Sequence, residues 1–341
     1  MSLIYYIAVS LLLGNYLTKA EIIDISDLSS LESVVDEEVV TEEVKPTRIQ
    51  ESSESSAEEI IDILQPNDEP PEPYAGCGYS NSNSNSSRAN EHDTQFSEYA
   101  WMVAIYDKKE FIGAGSLIAP NIVLTAAHII KDHENRNLRI VAGEWDIEKK
   151  NESLPELTRA VSKSFLHEQF WTATLQNNIA LLVLNMSYSS QPNIRTICLP
   201  SPGMQFDLTA CKTTAWQQLK EDNYMPTGIL QQTDFAMLSK SACSQRLPLT
   251  YLNAEKQLDE RHLCALNNDQ IDSCVSNGGE ALLCPMQAAP NRYVQAGILI
   301  AGIRCGHGEK YPALFVNTAE FMPWIFSKLG PLNIDLNYYQ A

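Results

Sequence analysis

The sequence predicts an all-β domain over residues 99–330, on three observations. From Tyr99 onward the chain runs as short apolar stretches broken by turn residues, the pattern of strands rather than long helices. The acidic excess that dominates the preceding part of the chain ends before this region begins. The eight cysteines form an even set, as in a fully bridged protein of an oxidising compartment. No CxxC pair or Cys/His cluster has metal-ligand spacing, so neither a metal nor another cofactor is expected.

Taken in order, residues 1–20 carry an apolar run from Leu3 to Leu13, followed by the small-residue stretch Thr18-Lys19-Ala20. The run is shorter than the roughly 20 apolar residues a membrane span needs, and no later stretch approaches that length. A signal peptide and a secreted, extracellular chain are expected.

Residues 21–72 contain 17 acidic side chains against two basic ones, Lys45 and Arg48, a net charge of −15 out of −19 for all 341 residues. This composition buries too little apolar surface to offset chain entropy and predicts a disordered acidic prosegment. A chain this acidic is a poor match for nucleic acid. The prosegment ends in the Pro-rich Asp68-Glu69-Pro70-Pro71-Glu72-Pro73. After Cys77 comes a Ser/Asn linker, so that residues 21–98 as a whole precede the β-domain.

Within the domain, Ala100–Tyr106, Phe111–Ala119, Leu138–Ala142, Ile179–Leu184, Leu230–Leu238 and Val294–Ile303 read as strands. Pro200-Ser201-Pro202-Gly203 reads as a crossover between two halves. Pro323–Leu329 reads as a terminal helix, with Pro323 in its first turn and Gly330-Pro331 as stop signals. Residues 331–341 form a C-terminal tail. Sequons at Asn85, Asn151 and Asn185 are candidate glycosylation sites in the secretory pathway.

Six motifs follow one another in a fixed order. Gly115-Ser116-Leu117-Ile118 leads into Val123-Leu124-Thr125-Ala126-Ala127-His128, and Asn178-Ile179-Ala180-Leu181-Leu182 follows. Then come Cys198-Leu199-Pro200, Cys211 with Trp216, the loop Cys274-Val275-Ser276-Asn277-Gly278-Gly279, and Pro312–Asn317 with Trp324-Ile325. Together these resemble the chymotrypsin-like serine proteases over residues 77–330. They are most similar to the secreted, non-catalytic serine protease homologues of arthropods, although no cysteine-rich clip module precedes the domain. The resemblance implies two six-stranded antiparallel β-barrels.

It also implies a degenerate triad at His128, Asn178 and Gly278. Gly278 stands where the family has its nucleophilic serine, and Asn178 where it has the aspartate that orients the histidine. Ser276 replaces the oxyanion-hole glycine and Asn277 the aspartate that pairs with a newly cleaved amino terminus. No catalytic residue is therefore expected. A pocket remnant survives in Asp272, at the position of the carboxylate that binds Arg or Lys, with Gly302 and Ala313 as its walls. The cysteine pair that braces the family's histidine loop is replaced by Gly113 and Ile129. The implied disulfides are Cys77–Cys198, Cys211–Cys284, Cys243–Cys264 and Cys274–Cys305.

The function implied is that of a secreted, inactive homologue acting as a binding partner, cofactor or decoy in an extracellular proteolytic cascade. Its partners would be extracellular proteins, including proteases or zymogens. Two alternatives stand beside it: a matrix, adhesion or reproductive-fluid binding protein, and an active endopeptidase using Ser273 or Ser276. Limited trypsin should cut first after Arg48 or Arg88, as exposed basic residues in extended chain fit a protease cleft. With Cys77 bridged to Cys198, the fragment upstream of a cut at Arg88 should stay attached on a non-reducing gel and leave only on reduction. Its release without reductant would contradict the pairing.

Overall fold

The computed structural model describes residues 76–81, 90, 92–149, 152–202, 204, 207–216, 228–247, 258–267, 278–302 and 311–341. The acidic prosegment, Arg48 and Arg88 lie outside these residues. Twelve described strands close into two antiparallel barrels. The first contains β1 (Met102–Asp107), β2 (Glu110–Ala119), β3 (Ile122–Thr125), β4 (Leu138–Ala142), β5 (Leu157–Leu166) and β6 (Ala180–Leu184), ordered β1-β2-β3-β6-β5-β4. The second contains β7 (Cys211–Ala215), β8 (Gln231–Met237), β9 (His262–Asn267), β10 (Ala281–Met286), β11 (Ala289–Ala301) and β12 (Ala313–Asn317), ordered β10-β11-β12-β9-β8-β7.

Strands β2 and β5 illustrate one element that the apolar pattern caught and one that it missed. In β2 the seven residues Gly113–Ala119 are all buried, because a strand packed on both faces loses its polar alternation. Such runs are conspicuous in sequence. By contrast β5, Leu-Thr-Arg-Ala-Val-Ser-Lys-Ser-Phe-Leu, is mostly part-exposed and carries five polar residues, so no apolar run announced it. Register shifts break several pairings, including the β11–β12 pairing between positions 299 and 301 of β11, and let short strands bend around a closed barrel.

The terminal helix differs from expectation. It runs from Thr318 to Leu329 (labelled α3 here, after the short α1, Ala127–Ile130, and α2, Lys240–Arg246) and begins five residues earlier than Pro323 suggested. Asn317 caps it by accepting the Ala319 N–H at 3.3 Å. Pro323 therefore sits inside the helix, leaving the Ala319 carbonyl without its usual donor. The buried side chains of Phe321, Met322, Ile325 and Leu329 offset that loss by packing on the core. Beyond the helix the tail turns back: the Leu199 N–H donates to Tyr339 O at 2.8 Å and the Thr196 hydroxyl to Tyr338 O at 2.6 Å. Tyr339 is buried.

Disulfides join Cys77 to Cys198, Cys211 to Cys284 and Cys243 to Cys264. Each closes a loop in the unfolded chain and should add about 2–4 kcal/mol. Cys274 and Cys305 lie outside the described residues. Among the described residues no helix is long and apolar enough to cross a membrane.

At the histidine loop, the space a bridge would fill is taken by a side chain. A Cβ on Gly113 would stand 2.9 Å from Ile129 Cδ1 and 3.0 Å from its Cγ2, so Ile129 packs directly on the Gly113 backbone. Ile129 is buried, and the contact links β2 to α1, which carries His128. Ile129→Ala should lower stability by about 2–5 kcal/mol, read from the urea midpoint. A change below half a kilocalorie would show that the loop is held by something else.

Candidate functional site

His128 lies in α1, and Asn178 stands two residues before the start of β6. The chain reaches Asn178 through a hairpin with left-handed backbone at Leu175 (φ 56°) and Asn177 (φ 52°). Asparagine tolerates that conformation better than most residues. Asn177 is pinned there: its Nδ2 donates to Gln169 O, and its Oδ1 accepts Arg261 Nη1 from the second barrel, both at 2.8 Å.

Asn178 is fully buried and holds His128 at two points. Its Oδ1 accepts the His128 backbone N–H at 2.8 Å, and its Nδ2 lies 2.8 Å from His128 Nδ1. A backbone N–H can only donate, so the atom facing it must be the amide oxygen. The amide NH2 then donates to Nδ1, which makes Nδ1 an acceptor and leaves the proton of a neutral imidazole on Nε2. A general base needs the reverse, with Nδ1–H given to a carboxylate and Nε2 open.

Gly278 completes the grouping. Its φ is +105°, a conformation that side chains rarely adopt, and an added Cβ would stand 2.8 Å from His128 Nε2 and 2.9 Å from Cε1. The imidazole occupies the space a nucleophile would need. On the far side, Gly278 O accepts the Ala114 N–H at 3.2 Å from the first barrel, while the Gly279 N–H donates to Leu299 O at 2.9 Å in the second. The segment Gly278–Gly279 is thus a backbone staple between the barrels.

Asp272, Ser273, Ser276 and Asn277 lie outside the described residues, as do Asn85 and Asn151. Gly302 is exposed at the end of β11, and Ala313 is buried at the start of β12, paired with Ala265. Asn185 is exposed with its Oδ1 accepting the Ala160 N–H at 3.1 Å. Among the described residues no group of three or more His, Cys, Asp or Glu side chains is arranged to hold a metal.

One residue of the site went unread in the sequence. Glu280, two positions after Gly278, is fully buried, and neither carboxyl oxygen has a hydrogen-bond partner among the described residues. Burial pushes its pKa up to about 8, so it is mostly protonated at neutral pH. The available signal was a charged residue between Gly278-Gly279 and the apolar Ala281-Leu282-Leu283.

With this geometry in place, the class is clear: the chain belongs to the trypsin family, whose model, described as Trypsin, matches residues 89–325. Among its relatives is phenoloxidase-activating factor 2 of Galleria mellonella, 32% identical over 288 residues that cover 79% of this chain and 93% of that protein. Inactive CLIP domain-containing serine protease A8 of Anopheles gambiae is 32% identical over 273 residues, covering 77% of this chain and 73% of the relative. The crystal structure of Drosophila Grass, a clip serine protease of the Toll pathway, superposes with a TM-score of 0.61 at 25% identity, covering 74% of each chain.

Glu280 gives this site a pH signature. Its folded pKa is raised above the ordinary 4.5, so the folded state holds the proton more tightly than the unfolded one. Stability should therefore be greatest below pH 4.5 for this group and fall as pH rises through 8. Glu152, pushed up to about 7 by burial, adds a fall that ends earlier. Glu280→Gln should flatten the upper part of the decline, measured as denaturant midpoints at pH 5 and pH 8. An equal decline in parent and variant would show that the Glu280 carboxyl is not held buried and protonated in the folded state.

Proposed function

We propose that this protein is a secreted, catalytically inactive serine protease homologue that acts as a binding partner or cofactor in an extracellular proteolytic cascade. The observation that carries the reading is the contact of Gly278 with the His128 ring. Gly278 has no hydroxyl to attack with, and a side chain there would press on the His128 ring as it stands and adopt a strained backbone. Asn178 supports it independently. An amide there cannot stabilise an imidazolium, and it holds the tautomer that cannot accept a proton at Nε2. In a working triad the loss of that carboxylate alone costs about 10⁴ in turnover.

The names of the relatives support the cascade. One is a phenoloxidase-activating factor, two Anopheles relatives and one Aedes relative are named inactive, and the solved neighbour belongs to the Toll pathway. The expected signal peptide and the buried disulfides support secretion. What such a chain retains is surface, and binding is the activity a rigid, inert barrel pair can offer.

The purified protein, with and without trypsin treatment, should take up no fluorophosphonate probe and hydrolyse no Arg or Lys ester. Stoichiometric labelling of any serine would overturn the inactive reading. Crosslinking in the source's extracellular fluid should then recover proteases or zymogens. Recovery of structural matrix proteins alone would instead support the matrix alternative.

A further inference from the structure

Between two anchors on the first barrel, the chain stands out into solvent. Strand β6 ends at Leu184, whose N–H donates to Asn121 O at 2.9 Å. Four residues on, Tyr188 is buried, with its N–H on Pro120 O and its hydroxyl on Ile140 O, both at 2.8 Å. The three residues between them, Asn185-Met186-Ser187, are all exposed. They are also a sequon, in which the hydroxyl at the third position makes the first residue an acceptor of N-linked sugar.

Asn185 is held in one orientation. Its backbone N–H donates to Ala160 O at 2.9 Å, and its Oδ1 accepts the Ala160 N–H at 3.1 Å. A backbone N–H can only donate, so the amide oxygen must be the atom facing β5. The nitrogen Nδ2, the atom to which a glycan bonds, is on the other branch of the amide and is turned away from that strand. A sugar at Nδ2 leaves both bonds to Ala160 in place.

The neighbours of Asn185 are apolar surface. Met186 is 57% exposed. Ser187 lines a cleft of about 460 Å³ between the C-terminal tail and the barrel, with Leu117, Pro120, Ile194 and Ile334 among its walls. A lone exposed methionine is ordinary, but one at the lip of an apolar cleft extends a patch that a bulky, hydrated sugar would shield. We propose that Asn185 carries an N-linked glycan through Nδ2, and that its inner sugars shield Met186 at the cleft lip, closing this face of the first barrel to protein partners. In the transfer, Nδ2 loses a proton and bonds the anomeric carbon of the first sugar, and the lipid pyrophosphate that carried the oligosaccharide leaves. The proposal rests on the secretory reading above and places the partner surface elsewhere on the molecule.

Peptide mapping of the full chain secreted from a eukaryotic host tests it. Enzymatic release of the sugar in heavy-oxygen water should leave labelled aspartate at position 185. Ser187→Ala should abolish that label without touching the Asn185–Ala160 bonds, and Ser187→Thr should keep it. Hydroxyl-radical oxidation of Met186 should rise several-fold in Ser187→Ala, while that of Trp171, exposed on a separate hairpin, stays constant. An unmodified Asn185 in a secreted chain would overturn the proposal alone, and so would equal Met186 oxidation in the parent and Ser187→Ala. A chain retained in the cell with all its sequons bare would overturn secretion, and the proposal with it.

Discussion

Three backbone groups between the barrels set the terms for everything around them. Gly278 O is held by the first barrel at Ala114, Gly279 N–H by the second at Leu299, and the Leu299 N–H returns to Glu280 O at 2.8 Å. A Cβ on Gly279 would stand 2.1 Å from Ala114 O, so that residue must be glycine for the strands to approach. In the proposed reading, the barrels are joined by main chain at the very loop that would carry a nucleophile. That arrangement asks for small residues and correct backbone direction, and for no particular chemistry at position 278. A chain can keep the staple without the serine.

The histidine is kept on the same terms. Asn178 satisfies the His128 backbone and ring with one buried, uncharged amide, and so avoids placing an unpaired charge in the interior. Ile129 on Gly113 gives the loop a packed contact where a bridge would otherwise sit. Glu280 runs the other way, as an acid held neutral by burial close to the staple.

Much of this was legible in the sequence because the residues concerned are backbone-critical. Gly278-Gly279, the run before His128 and the Cys198 region are fixed by close approach or by bridging, and they mark the fold and the grouping of the site. The ends of elements were less legible. Pro323 looked like a helix start because its missing N–H costs nothing there, yet the apolar residues Phe321, Met322 and Ile325 carry the helix through it. The half-exposed β5 has no apolar run to mark it. The tail's return to Leu199 could not be read at all, since one backbone bond and a buried Tyr339 leave no spacing signature.

The central claim is that position 278 is closed to catalysis by geometry as well as by composition. The most direct measurement is a pre-steady-state burst on an active ester with Gly278→Ser and Asn178→Asp combined. At φ near +105° the new serine is strained and its Cβ collides with His128, so the double variant should show no burst and no turnover above background. A burst of one acyl group per chain would mean that the loop relaxes readily around a side chain, and that only the missing hydroxyl and carboxylate had silenced the site.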